Sequence, residues 1–319
     1  MGETGRRLAE GGEMRISVNV AIGIDGPQTH AAVVDEVADV ARRGLAGAWW
    51  SQLPPVAGTT PWDPFTSIAA TAASAPDLEL GVAVALAQVQ HPLRLAVQAR
   101  TLQAVTGNRF TLGLGAGHAP IVEGLYGLSH ARPRHDLRRT LDVLAPALRG
   151  ETVTAAAVPA TVQLPEVEPP GLVLAALGPR MLELAGAMAD GTVTAWAGPR
   201  ALAEHVVPTI TAAAAAAGRP APRVIANVLA SVTADPDAAR QDAAARFGAA
   251  AQLPSYRAVF DRDGHEGPAD AAVVGDEDAV AAGLAALVDA GATEVLVSVF
   301  GRPEERSRTL ALLGDLARR

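Results

Sequence analysis

The 319-residue chain contains no cysteine. That excludes disulfides, thiolate nucleophiles and cysteine-ligated metal, and matches a reducing, cytoplasmic setting. It contains no lysine either: all 26 basic residues are arginine, against 34 acidic ones. The resulting net charge of −8 argues against a nucleic-acid partner, because binding a phosphate backbone needs a basic surface. Aromatic side chains make up only 3% of the residues, so the core has to be built from Val, Leu, Ile and Ala. No apolar run approaches the roughly 18 residues that identify a membrane span. Residues 1–13 have no apolar segment of the kind a secretory signal needs and read as a flexible tail. His205 and His265 have no companions at metal-ligand spacing, and neither H-E-x-x-H nor G-x-S-x-G occurs. No metal site and no acyl-transfer triad is therefore expected.

What is present is a regular alternation. Apolar, strand-like runs occupy residues 15–22, 46–51, 78–87, 110–114, 172–176, 191–196, 223–232 and 293–299. Between them lie helical patterns, such as Val33, Val34, Val37, Val40 and Ala41 behind a capping Thr29. Strict strand–helix alternation over this length predicts an α/β fold, a (β/α)8 TIM barrel, as a single domain over residues 14–319. Two additions interrupt it. Residues 151–171 read as an inserted β-hairpin, and residues 252–276, rich in Pro, Gly and Asp, as a long excursion between strands 7 and 8 that could cover a site.

A barrel of this kind carries its chemistry on the loops leaving the C-terminal ends of the strands. Strand four leaves through Gly113-Leu114-Gly115-Ala116-Gly117-His118. Alternate glycines let a backbone pass close to a flat or anionic ligand. The dinucleotide fingerprint is excluded, because His118 stands where it needs glycine and Ala119-Pro120 follows where it needs a helix. His118 reads either as a general acid, with an ordinary pKa close to neutrality, or as a loop histidine capping carbonyls. Glu123 and Tyr126 are further proton-donor candidates nearby. His91, held extended by Pro92, either packs on a ligand or fixes its loop. Gly178-Pro179-Arg180-Met181 opens a helix, whose free N–H groups attract an anion; Gly198-Pro199-Arg200 is a second helix start of the same kind. Trp49 and Trp50 are expected to face opposite sides of strand two, and Trp62 and Trp196, on rim loops, to line a substrate pocket.

Four blocks together resemble the bacterial luciferase-like superfamily, in its branch that uses the deazaflavin coenzyme F420. They are Leu80-Gly81-Val82-Ala83-Val84 with His91-Pro92, and Gly107-Asn108-Arg109-Phe110-Thr111 running into the glycine exit. The third is Ala175-Ala176-Leu177-Gly178-Pro179-Arg180 with Ala189-Asp190-Gly191, and the fourth Gly291-Ala292-Thr293-Glu294. The resemblance covers residues 14 to about 300. It implies a TIM barrel with coenzyme F420 (8-hydroxy-5-deazaflavin) at its mouth, or FMN as the alternative, a small-molecule substrate and a homodimer. Carried over position by position, it implies a non-proline cis peptide at Ala83-Val84 behind the ring, with Gln52, His91, Gly115, Ala116 and Gly117 around it. It also places the phosphodiester of the coenzyme tail at Leu177, Gly178, Pro179, Arg180 and Met181. Some relatives carry a charged or imidazole side chain after strand two; Gln52 stands there instead, able to bond the ring's edge but not to exchange a proton. A lysine holds the phosphorylated sugar of some relatives, and its absence argues against such a substrate.

The expected activity is an oxidoreductase passing hydride between the reduced deazaflavin and an activated C=C or C=N bond of a specialised metabolite. The competing readings are an FMN-dependent monooxygenase, which needs a reductase partner and oxygen, and a non-catalytic deazaflavin-binding protein.

Overall fold

Eight parallel strands close on themselves: β1 (Ile16–Val20), β2 (Gly47–Trp50), β3 (Glu79–Leu86), β4 (Phe110–Gly115), β5 (Gly171–Ala175), β6 (Gly191–Ala195), β7 (Arg223–Val232) and β8 (Glu294–Val299). Each is hydrogen-bonded to its sequence neighbour, and β8 returns to β1. This is the expected TIM barrel. The computed structural model describes residues 14–21, 28–56, 59–154 and 158–319; the tail expected at residues 1–13 lies outside them. Among the described residues no helix is long and apolar enough to cross a membrane.

The helices bury one apolar stripe against the outside of the barrel, as Val33, Val37 and Val40 do in His30–Arg42. Thr29, Asp63, Asp235 and Asp276 each accept a backbone N–H at a helix start, caps worth typically about 1 kcal/mol each. Trp49 and Trp50 divide as their adjacency requires, since successive strand residues face opposite sides. Trp50 joins the outer core, and Trp49 the lumen with Val173, Val193, Ile225 and Leu296. The indole of Trp49 lies across Gly81, where a Cβ would stand 2.3 Å from its Cε3. Glycine at 81 is what lets a tryptophan fill the barrel.

The lumen is sealed below by charge. Glu79 and Glu294 begin two strands and Arg223 a third, and Arg15 immediately precedes β1. Arg15 and Arg223 each bond both carboxylates, while Ser17 and Thr111 donate to Glu294 and Glu79. Burial pushes the Glu79 carboxyl up, but the adjacent Arg223 and Arg15 outweigh it and hold it below its ordinary value. Above Trp49 comes a neutral polar layer, in which Asn19 Nδ2 donates to Ser298 Oγ at 3.0 Å and Ser298 Oγ to Asn227 Oδ1 at 3.3 Å.

The hairpin is present but short, Thr152–Val153 against Ala160–Thr161. The 252–276 excursion is more ordered than its composition suggests. It forms a ten-residue helix, Pro254–Asp263, and a strand, Val273–Gly275, that pairs with β7. Inside the helix there is no proline or glycine after Pro254 at its first position. Val259 and Phe260 are buried, and Gly264, at φ 77°, ends it. A one-turn helix, Ala119–Val122, also opens directly after His118; Pro120 fits its first turn, where the missing N–H is not needed.

Candidate active site at the barrel mouth

The mouth is shaped first by an irregularity in β3. Its register against β4 jumps between Val82, opposite Leu112, and Ala85, opposite Leu114. The Ala83-Val84 peptide there is cis, as the resemblance implied. Ser51 Oγ donates to the Ala83 carbonyl at 2.9 Å, and Gln52 Oε1 accepts the Leu86 N–H at 2.7 Å. The end of β2 thus pins both sides of the bulge. The alternating glycines of β4 answer to the same feature: a Cβ on Gly113 would stand 2.1 Å from the Val82 carbonyl oxygen, and one on Gly115 2.7 Å from Val84 Cγ2. Their first duty is to admit the β3 bulge. Gly117, at φ 66°, then turns the chain outward, and Gln88 Nε2 holds the Ala116 carbonyl at 2.7 Å.

His118 leaves this turn half-buried. Its Nε2 lies 3.3 Å from the hydroxyl of Tyr256, and the two rings are 5.1 Å apart. Tyr256 sits on the Pro254–Asp263 helix of the excursion, so this contact joins the β4 loop to the element that covers the mouth. Burial, and then the nearby His130, push the His118 pKa below its ordinary 6.5. At neutral pH the imidazole is therefore uncharged and can act as a neutral N–H donor. Burial also pushes the Tyr256 phenol up, so that it keeps its proton. Trp196, at the end of β6 with φ 56°, packs 5.1 Å from Tyr256 and 6.0 Å from Phe247. The result is an apolar aromatic wall beside the imidazole.

The other expected residues are more dispersed. Glu123 is exposed and accepts the His130 backbone N–H at 3.0 Å. Tyr126 is half-buried in the same loop. His91 is exposed, and its Nδ1 accepts the Leu93 N–H at 3.3 Å, capping the Pro92–Val105 helix. Trp62 stands against His30, 6.3 Å away, and not with Trp196.

The two helix starts differ. At Gly178, ahead of Pro179–Met188, no side chain caps the helix, and a Cβ would meet nothing within 4 Å. Arg180 is exposed there, with Leu177 and Met181 half-buried beneath. At Gly198 the reading of a second open anion site is corrected. Asp263, at the far end of the covering helix, already bonds Gly198 N at 2.7 Å and Ala201 N at 2.8 Å. Its carboxylate occupies the place an anion would take. Among the described residues no group of three potential ligands could hold a metal.

Tyr256 and the Asn19–Ser298–Asn227 layer were missed from sequence. A signal existed for the first. In a chain with 3% aromatics, Phe247, Tyr256 and Phe260 fall within one short stretch, the last two one helical turn apart. The polar layer had only isolated Asn and Ser inside apolar strands, whose meeting depends on strand register.

The sequence profile of the luciferase-like monooxygenase family matches residues 14–294. Among curated relatives, the 5,10-methylenetetrahydromethanopterin reductase of Methanolobus tindarius is 27% identical over 264 residues, 80% of this chain and 79% of that protein. Among solved structures, the coenzyme F420-dependent tetrahydromethanopterin reductase of Methanopyrus kandleri superposes with a TM-score of 0.72 at 20% identity, covering 95% of this chain and 98% of its own. The oxygenating constituent of 3,6-diketocamphane monooxygenase from Pseudomonas putida, in complex with FMN, superposes with a TM-score of 0.71 at 17% identity, covering 96% and 97%. At such identities the structural likeness establishes a shared fold.

Proposed function

The chain belongs to the luciferase-like monooxygenase family, and from that premise we propose that it is an oxidoreductase using coenzyme F420 to reduce an activated C=C or C=N bond of a small, uncharged substrate. The observation that carries this reading is the grouping at one rim of a bulged β3 cradle, an uncapped helix start and a neutral imidazole. The residues present suit a flat tricyclic ring with an anionic tail. Ala83 and Val84 form the back of the cradle, with Gly115, Ala116 and Gly117 beside it and the remaining amide end of Gln52 at its edge. The N-terminus of the Pro179–Met188 helix, with Gly178 leaving open space and Arg180 exposed, would hold the phosphodiester. The deazaflavin, when bound, supplies hydride chemistry that no side chain can.

The protein's own part is orientation and hydrogen bonding to the charge that develops, the proton itself coming from solvent. Reducing a C=C or C=N bond adds a hydride to carbon and a proton to its partner atom, so negative charge develops on that atom. His118, neutral and half-buried, offers an N–H to this charge; a neutral imidazole whose pKa has been lowered is a suitable electrophilic donor. Trp196 and Tyr256 exclude water on one side and favour an uncharged, planar substrate. A Mycobacterium tuberculosis relative named a putative coenzyme F420-dependent oxidoreductase, 27% identical over 56% of this chain and 54% of its own length, supports the deazaflavin over FMN, as does a mouth that offers a hydrogen-bond donor.

Fluorescence quenching of coenzyme F420 and of FMN by the purified protein tests the cofactor. Micromolar binding of the deazaflavin with much weaker binding of FMN is expected. Tight FMN binding with none of the deazaflavin would replace this reading with the monooxygenase.

A further inference from the structure

We propose that Tyr256 is a positioning residue that holds His118 as the Nδ1–H tautomer, so that Nδ1–H is the one donor the imidazole offers at the mouth. A histidine in water is a mixture of two neutral tautomers, and which nitrogen keeps the proton is decided by what the other nitrogen meets. Here Nε2 meets the Tyr256 hydroxyl at 3.3 Å. That hydroxyl has no other partner in the chain among the described residues. A phenol, ordinarily of pKa about 10, is the better donor of the two, and an imidazole lone pair the better acceptor. The satisfied arrangement is therefore Oη–H donating to Nε2, which leaves the proton on Nδ1. If Nε2–H donated instead, the hydroxyl hydrogen would have no protein partner among the described residues, only the rings of Trp196, Phe260 and His118 around the phenol. Two titratable groups face His118 from other elements: Tyr256 from the covering helix, and His130 from the segment ahead of the Pro133–Leu148 helix. His130 is itself tied back, its Nε2 lying 3.1 Å from the Gly117 carbonyl.

The function given to this N–H rests on the reading of His118 as the donor in the proposed reaction, whereas the tautomer does not. The test is made on the full chain without cofactor or substrate. Long-range 1H–15N correlation of the 15N-labelled protein at pH 8 identifies the protonated ring nitrogen, and the H118Q variant assigns the signals. The wild type is expected to show Nδ1–H at His118. In Y256F the signals are expected to move towards the Nε2–H form and the His118 titration midpoint to rise, because a bond that favours the neutral ring is lost. Nε2–H in the wild type, or an unchanged tautomer in Y256F, would overturn the proposal. A second measurement does not depend on how Y256F folds. The chain has two tyrosines, so uniform 3-fluorotyrosine labelling makes the Tyr256 phenol more acidic with little change in shape. The His118 Nε2 signal should shift; a static signal would contradict the bond. Once a substrate is in hand, Y256F should lower kcat severalfold with little change in cofactor affinity. An Nδ1–H tautomer together with unimpaired turnover in H118Q would leave this proposal standing and remove the reading of His118 as the donor.

Discussion

His118 concentrates the chemistry at the scale of single residues. Replacing it with glutamine keeps a polar side chain of similar reach but removes the ring. Turnover is expected to fall by about 100-fold or more, the usual worth of a positioned hydrogen-bond donor to developing charge, while deazaflavin affinity stays within about twofold in the quenching titration. The opposite split, weakened binding with normal turnover, would make His118 a cofactor contact. Its lowered pKa also has a consequence for stability. Because the folded protein holds the ring neutral below the ordinary 6.5, the unfolded chain binds the proton first as pH falls, and stability drops through that window. Denaturant titrations between pH 7.5 and pH 5 should therefore show His118→Gln losing less stability than the wild type; equal losses would mean that His118 is not held neutral. Sequence made this residue legible, since a lone imidazole at the end of a glycine exit is conspicuous. Its protonation state was not legible, because it depends on Tyr256 and His130 arriving from other elements.

Two constructions between elements explain how the mouth is held. The covering helix is tied at both ends, through Tyr256 at its start and Asp263 at its finish, the latter capping the helix that begins at Pro199. Asp263→Ala is expected to cost about 1–2 kcal/mol, the worth of a lost cap, and to alter the fluorescence of Trp196 beside that helix. A variant as stable as the wild type with unchanged fluorescence would show that the anchor is idle. At the barrel floor, Arg223→Met leaves Glu294 and Glu79 sharing Arg15 alone. Removing one partner from a buried ion network typically costs about 3–5 kcal/mol, and chemical denaturation should register a loss of that order; a loss below about 1 kcal/mol would contradict the floor's role. The floor is also the acid-sensitive part. The Glu79 carboxyl is held below its unfolded value, so its contribution is present at neutral pH and is lost as pH falls through the folded value. The four charges stand at or just before the starts of otherwise apolar strands, but that they meet in one layer depends on strand register and was not read from sequence. The glycines of β4 have a second duty that their spacing alone does not show. Their spacing suggests close approach by a ligand, and Gly113 and Gly115 also make room for Val82 and Val84. A vacant Cβ position is visible in sequence; what fills it is set by the neighbouring strand.

For the molecule as a whole, the alternation of apolar runs and helical patterns was enough to read the eight-stranded barrel, because each run encodes its own element. The helix within residues 252–276 was harder to read, since Pro, Gly and Asp at both ends of the excursion hid a ten-residue helix between them. The family follows from the match over residues 14–294, but one barrel hosts many chemistries. The proposed reaction of the whole assembly moves hydride from a reduced deazaflavin to an organic acceptor, with the neutral His118 N–H stabilising the charge that develops. Anaerobic single-turnover oxidation of the reduced deazaflavin on the enzyme, with a panel of enones and imines, tests this most directly. Recovery of the oxidised coenzyme's absorbance only when an acceptor is present, and without oxygen, is the predicted result. Oxidation that requires oxygen, or none with any acceptor, would contradict the account.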